Sequence, residues 1–169
     1  NTAHAGGKLT HGAGVSSPTR GMWGGGAYYA PNAVVMDNID FITISTLGNA
    51  ADFGDLTLAR KAVTGVANAV RGVWSGGYTP TYQDTQDFVT LATLGNAIDF
   101  GDSTWAGAYK SGASSPTRGC YAGGRIPSGR ENRIDYITLM STGDATDFGD
   151  LVSNHDGAGG CSNGHGGLG

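Results

Sequence analysis

One eleven-residue phrase is written three times in this chain. Thr46 to Leu56 reads TLGNAADFGDL, Thr93 to Ser103 reads TLGNAIDFGDS, and Ser141 to Leu151 reads STGDATDFGDL. Two more landmarks recur in the same order: TRGMWGGG, VRGVWSGG and TRGCYAGG from Thr19, Val70 and Thr117, then IDFITIS, QDFVTLA and IDYITLM from Ile39, Gln86 and Ile134. Arg20, Arg71 and Arg118 are 51 and 47 residues apart, while Asp40, Asp87 and Asp135 are 47 and 48 apart. Self-similarity at such a period outranks any local pattern, because each copy is one small supersecondary unit that cannot bury its own apolar surface. The expectation is three tandem repeats of about 47–51 residues spanning 16–151, with units near 16–63, 64–112 and 113–151. Gly-rich segments 1–15 and 152–169 flank them.

The units read as all-β. Thr, Val, Ile, Tyr, Phe and Trp fall in short runs, and no stretch keeps a helical period over eleven residues. Each unit should hold about three short strands: Arg-Gly-apolar-aromatic ending in Gly-Gly, the IDFITIS type, and one running through DFGDL. Pro18, Pro31, Pro80, Pro116 and Pro127 all lie between these runs, where proline belongs. Thirty-one glycines fit many tight turns, and 38% hydrophobic residues exclude a disordered chain. In the second strand, Asp40, Ile42 and Ile44 oppose Ile39, Phe41 and Thr43, so both faces carry apolar side chains. A sheet with one wet face alternates more cleanly. Small antiparallel sheets covered on both sides by neighbours are therefore expected, propeller-blade-like or closed with pseudo-threefold symmetry.

The repeated Arg and the repeated Asp each open a strand on a face that continues apolar. A desolvated charge there needs a partner. The pattern predicts the ion pairs Arg20–Asp40, Arg71–Asp87 and Arg118–Asp135. Cys120, at the place of Met22 and Val73, is expected to be a small buried apolar residue.

Three chemical readings compete for the carboxylates in the repeated phrase. A glycosidase needs two carboxyl groups in different environments, and three near-identical copies supply the opposite. Calcium wants six to eight oxygens; Asn49, Asp52 and Asp55 with loop carbonyls offer a few, but not at EF-hand spacing. The structural reading is stronger: Asn and Asp close turns onto nearby N–H groups, and glycine permits the bend. Asp52, Gly54, Asp55, Asp99, Gly101, Asp102, Asp147, Gly149 and Asp150 are expected to form three turn corners, pinned by Phe53, Phe100 and Phe148. His4, His11, His155 and His165 lie outside the repeats; His165, Cys161 and His155 fall short of the four ligands zinc needs. No catalytic residue, metal or cofactor is expected, so a non-enzymatic role is.

A net charge of −4 without a basic stripe argues against a nucleic-acid partner. No run approaches the roughly 20 apolar residues of a membrane helix, so membrane insertion is not expected. Recognition should sit where the copies differ. The segment after each Gly-Gly is unlike in each unit: AYYAPNAVVMDN, YTPTYQDTQ and RIPSGRENR. Variable loops on a repeated scaffold are natural binding surfaces. Tyr28, Tyr29, Tyr78 and Tyr82 offer stacking faces for sugar rings, and Arg125 and Arg130 suit acidic groups. Packing against a neighbouring subunit is the equal alternative for these loops.

The three motifs, T-R-G-aromatic-x-G-G, I-D-Y-I-T-I and G-N-A-T-D-F-G-D-L, resemble repeats in virion structural proteins of marine tailed phages, cyanophages especially. The resemblance covers Ser16 to Leu151. It implies a structural component of a virion, fibre or similar extracellular assembly that works by packing and self-association, as a homo-oligomer or against neighbouring subunits. A Gly-Gly doublet with a PTR lead-in is also similar, more loosely, to a kelch-type propeller blade, although the short Arg to Gly-Gly spacing leaves room for one strand where kelch has two. The alternative function is a carbohydrate-binding module that uses the variable loops on a cell-surface glycan.

Overall fold

The computed structural model describes residues 9–29 and 34–160, and these residues contain strands and loops but no helix. His4, Pro31, Cys161 and His165 lie outside the described residues, as do most of the N-terminal Gly-rich segment and the end of the C-terminal one.

The strands form several small antiparallel sheets; two of these are four-stranded meanders in chain order, and a third, five-stranded, is the same meander with one short strand added. The first sheet holds Ala13–Ser16, Arg20–Gly24, Asn38–Thr43 and Ala51–Asp55. The second holds Thr64–Ala67, Arg71–Ser75, Thr85–Thr90 and Ile98–Asp102. The third holds Ser111–Ser114, Arg118–Ala122, Gly129–Thr138 and Thr146–His155, with the short Arg125–Ile126 strand paired to the tip of Gly129–Thr138. Four strands stand where the sequence predicts about three. The additional one is the opening strand, AGVS, TGVA or SGAS, which is too small and glycine-rich to carry a strand signature by itself. It gains its ladder from the Arg-Gly strand that follows, Val15 opposite Met22 and Val66 opposite Val73.

The aspartate–glycine segments are not turn corners. All nine residues lie within the fourth strands, and the reversal occurs earlier, in turns closed by Thr46 N on Thr43 O, Thr93 N on Thr90 O and Ser141 N on Thr138 O. What glycine provides is a β-bulge. Ile39 pairs with Gly54 but Asp40 pairs with Asp52, which leaves Phe53 as the extra residue; Phe100 and Phe148 hold the same place in their sheets. The bulge takes φ to +148° at Gly54 and +134° at Gly101 and Gly149. The local side-chain bond expected of a turn closes the bulge instead: Gly101 N donates to Asp99 Oδ1 at 3.3 Å and Gly149 N to Asp147 Oδ1 at 3.1 Å.

The core lies between the sheets. One cluster joins Met22, Ile39 and Phe53 of the first sheet to Trp74, Val89 and Leu91 of the second. A separate cluster joins Val73, Phe88 and Phe100 of the second sheet to Tyr121, Ile137 and Leu139 of the third. The second sheet is thus covered on both faces, as its two-sided apolar pattern requires. The first and third are each covered on one.

Burial of the bulge phenylalanines follows this layering. Each packs edge-on against an aromatic ring of the third strand, Phe53 on Phe41, Phe100 on Phe88 and Phe148 on Tyr136. Yet Phe53 and Phe100 are 3% and 2% exposed while Phe148 is 55% exposed. Truncating a buried phenylalanine costs about 3–5 kcal/mol. Phe53→Ala and Phe100→Ala should each lose roughly that much in denaturant titrations of the dilute chain. Phe148→Ala should lose less than about 1 kcal/mol.

Candidate functional site

The two junctions between sheets share one set of polar contacts. At the first, Gly95 N donates to Phe53 O at 3.0 Å and Ala97 N to Asp55 O at 2.7 Å. Asp55 N returns a bond to Asn96 Oδ1 at 3.1 Å. At the second, Gly143 N donates to Phe100 O and Ala145 N to Asp102 O, both at 2.7 Å, and Asp102 N donates to Asp144 Oδ1 at 3.0 Å. Asn96 and Asp144 therefore clasp the preceding sheet; they do not gather with the aspartates as ligands. Among the described residues no three His, Cys, Asp or Glu side chains converge on a metal-sized site. The carboxyls of Asp55 and Asp102 are raised above the usual range, first by burial and then by neighbouring aspartates.

The predicted ion pairs do not form. Arg20 stands opposite Thr43, and Asp40 opposite Trp23; Arg71 stands opposite Thr90, and Arg118 opposite Thr138. Two antiparallel strands have their starts at opposite ends of the sheet, so residues that open adjacent strands cannot meet. Each arginine stacks instead on the aromatic ring of its own third strand: Arg20 on Phe41, Arg71 on Phe88, Arg118 on Tyr136. Arg20 Nη1 then donates to Leu91 O of the next sheet at 2.6 Å, and Arg71 Nη1 to Leu139 O at 3.2 Å. The aspartates turn the other way. Asp135 accepts from Thr104 N at 2.9 Å and Thr104 Oγ1 at 2.6 Å. Asp87 accepts from Thr57 N at 3.2 Å and from Thr57 Oγ1.

Asp87 has one more partner, Arg60, at 2.8 Å, with both side chains 0% exposed. The sequence reading missed Arg60, which has no counterpart in the other units. It also missed Thr57 and Thr104, although both stand two residues after the repeated Asp of the DFGD phrase. Burial draws the Arg60 guanidinium below its ordinary pKa, and Asp87 opposes that shift.

A second buried cation lies between the second and third sheets. Lys110 Nζ donates to Ser103 Oγ at 2.9 Å and to Trp105 O at 3.3 Å, and lies over the Trp105 ring. Ser103 Oγ in turn bonds Ser75 Oγ at 2.8 Å. Burial lowers the Lys110 pKa to about 7. A serine beside such a lysine resembles an activated nucleophile, but here both are buried, Lys110 at 5% and Ser103 at 7% exposure, inside packed sheet.

Among the described residues, two faces lack the neighbour that the junctions supply. On the first sheet, Trp23 is 47% exposed, whereas Trp74 and Tyr121 at the matching positions are 0%. Ile44 there is exposed where Leu91 and Leu139 are buried. On the third sheet Phe148 is exposed, and Cys120 is half-buried instead of enclosed like Met22 and Val73. The expected enclosure of Cys120 fails for want of a covering sheet.

The variable loops divide by chemistry. Tyr29 and Tyr78 meet across Lys61: its Nζ donates to Tyr29 Oη at 3.0 Å and lies over both rings. That bond raises the Lys61 pKa. Tyr82 stacks edge-on against Tyr78, and His11 contacts the rings of Tyr29 and Tyr109. Tyr28 lies in the short Ala27–Tyr28 strand. Arg125 and Arg130, both about half exposed, pair with Asp156 at 3.2 and 2.6 Å.

Two expectations test these junctions. Asp87→Ala strands Arg60 in the core, so it should cost about 3–5 kcal/mol, measured by denaturation, against under about 1 kcal/mol for the half-exposed Asp40→Ala. For Lys110, the folded pKa is near 7 and the unfolded one near 10.5. The unfolded chain therefore holds the extra proton between those values, and stability rises with pH across that window. The thermal midpoint should climb from pH 7 to 9, and Lys110→Met should flatten the slope.

No family model matches the chain, and no curated protein does. Solved structures do. One, described as the structure of YjhT, matches with a TM-score of 0.70 and 9% sequence identity over 90% of this chain and 55% of that one. The chain thus spans about half the length of that structure. At this identity the likeness concerns the fold alone.

Proposed function

We propose that the chain is a non-enzymatic structural module of a larger extracellular assembly, such as a phage virion or fibre, and acts by packing and self-association. In this reading the three four-strand meanders, one with a short fifth strand added, are the three sequence repeats, set side by side like propeller blades around a shared axis. The support is the shared strand order, bulge position and junction contacts. The opening strands also converge on one cavity of about 230 Å³ between Gly14, Gly65 and Gly112.

One observation carries the proposal: two sheet faces whose counterparts are fully enclosed stand open, with Trp23 on one and Phe148 on the other. A repeat stack must cover its ends, and a covering partner is what an assembly provides. Sedimentation at tens of micromolar should show species heavier than the 17.1 kDa chain, with regular particles in electron micrographs. A chain that stays monomeric at high concentration overturns this reading.

A second reading has its own observation, the ring cluster of Tyr29, Tyr78 and Tyr82 about Lys61. Aromatic faces beside a hydrogen-bonding cation, exposed at Tyr29 and half-buried at Tyr78 and Tyr82, suit sugar rings. If this patch binds glycans, Tyr29→Ala with Tyr78→Ala should abolish retention on a glycan array and leave the mass in solution unchanged.

A further inference from the structure

We infer that the two open faces are complementary halves of one head-to-tail junction, and that a second copy of this chain fills it, its first sheet seated on the third sheet of the copy before. This rests on the self-associating reading above. The argument is continuity with a junction the chain makes twice within itself.

Each internal junction has a giving and a receiving side. The third sheet offers the side that the first and second sheets use internally. Phe148 O and Asp150 O match Phe53 O and Asp55 O, which accept from Gly95 N and Ala97 N. Asp150 N matches Asp55 N, which donates to Asn96 Oδ1. Arg118, stacked on Tyr136, has no cross-sheet carbonyl among the described residues, whereas Arg20 and Arg71 reach Leu91 O and Leu139 O. The first sheet offers the other side. Gly48 N, Ala50 N, Asn49 Oδ1 and Ile44 O stand where Gly95, Ala97, Asn96 and Leu91 stand in the second sheet. Four hydrogen bonds thus have both partners present, on opposite faces of one chain.

The apolar surfaces match in the same way. Trp23 and Ile44 would enter the positions that bury Trp74 and Leu91. Phe148 and Cys120 would be covered as Phe53 and Met22 are. Each face carries two donors and two acceptors whose complements lie on the other face, Phe148 O and Asp150 O for Gly48 N and Ala50 N, and Asn49 Oδ1 and Ile44 O for Asp150 N and Arg118, so the junction joins unlike faces. The contact is therefore heterologous. Gly157 N bonds Tyr109 O as Ala62 N bonds His11 O, so the tail from Gly157 holds the place of an incoming His11. This glycine-rich stretch buries little. The incoming first sheet brings Trp23 and Ile44, both exposed in the single chain, and displaces it.

Light scattering and sedimentation at tens of micromolar test this on the full chain. Wild type should have at least twice the 17.1 kDa chain mass. Trp23→Glu alone and Phe148→Glu alone should each be monomeric, with association weakened at least tenfold. Both side chains are about half exposed in the single chain, so strand content, and denaturation midpoints at dilutions where wild type is monomeric, should match wild type. Mixing the two variants restores one intact Trp23 face and one intact Phe148 face, and should yield a one-to-one dimer and nothing larger. A monomeric wild type overturns both the self-association reading and this inference. An assembled wild type that neither variant disrupts, or a mixture that stays monomeric, overturns the head-to-tail junction alone.

Discussion

Burial of one sheet by the next is the interaction on which the rest of this molecule depends. A sheet of four strands, some only four residues long, has two apolar faces and nothing of its own to cover them. Phe88 and Val89 are neighbours in one strand, yet they belong to different cores. The second sheet is therefore the mechanical centre of the chain. Its rings and aspartate are enclosed because a sheet lies on either side. The same residue types on the outer faces stand in solvent.

Polar groups follow this layering. The repeated arginines and aspartates do not hold strands together within a sheet, because the ladder already does. Antiparallel pairing sends them to opposite ends, and those beside a junction find a partner across it: Arg20 and Arg71 on a carbonyl of the next sheet, Asp87 and Asp135 on a threonine of the one before. The pattern uses the polar groups that burial would otherwise leave unsatisfied. Arg60 and Lys110 are additions peculiar to single junctions. They bring a buried charge whose solvation is replaced by Asp87 in one case and by the Ser103 hydroxyl and the Trp105 carbonyl in the other. Such sites make the junctions individually distinct although their backbone contacts are alike.

Much of this was legible in the residues. Alternation in IDFITIS showed two apolar faces, and the Pro and Gly positions punctuated the strands. The opening strand was not legible, since AGVS or SGAS owes its conformation to the ladder beside it and not to its own side chains. The bulge was half legible. Asp and Gly marked a backbone needing positive φ and a side-chain bond to a nearby N–H, but the same pair serves turns and bulges alike. Thr57 and Thr104 recur two residues beyond the repeated phrase, so a signal for them existed; Val152 in the third copy dilutes it.

By itself the sequence determined that the chain is all-β, where its strands with aromatic and β-branched residues run, and which side chains share a face. These follow from local sterics and a period of two. Only the tertiary structure decided which faces are covered, which carbonyl each arginine meets, and that Phe148 and Trp23 stand exposed while their counterparts do not. Those outcomes depend on which sheet lies next to which. Identical motifs in a row carry no difference between a middle position and an end, and only contact between neighbours creates one.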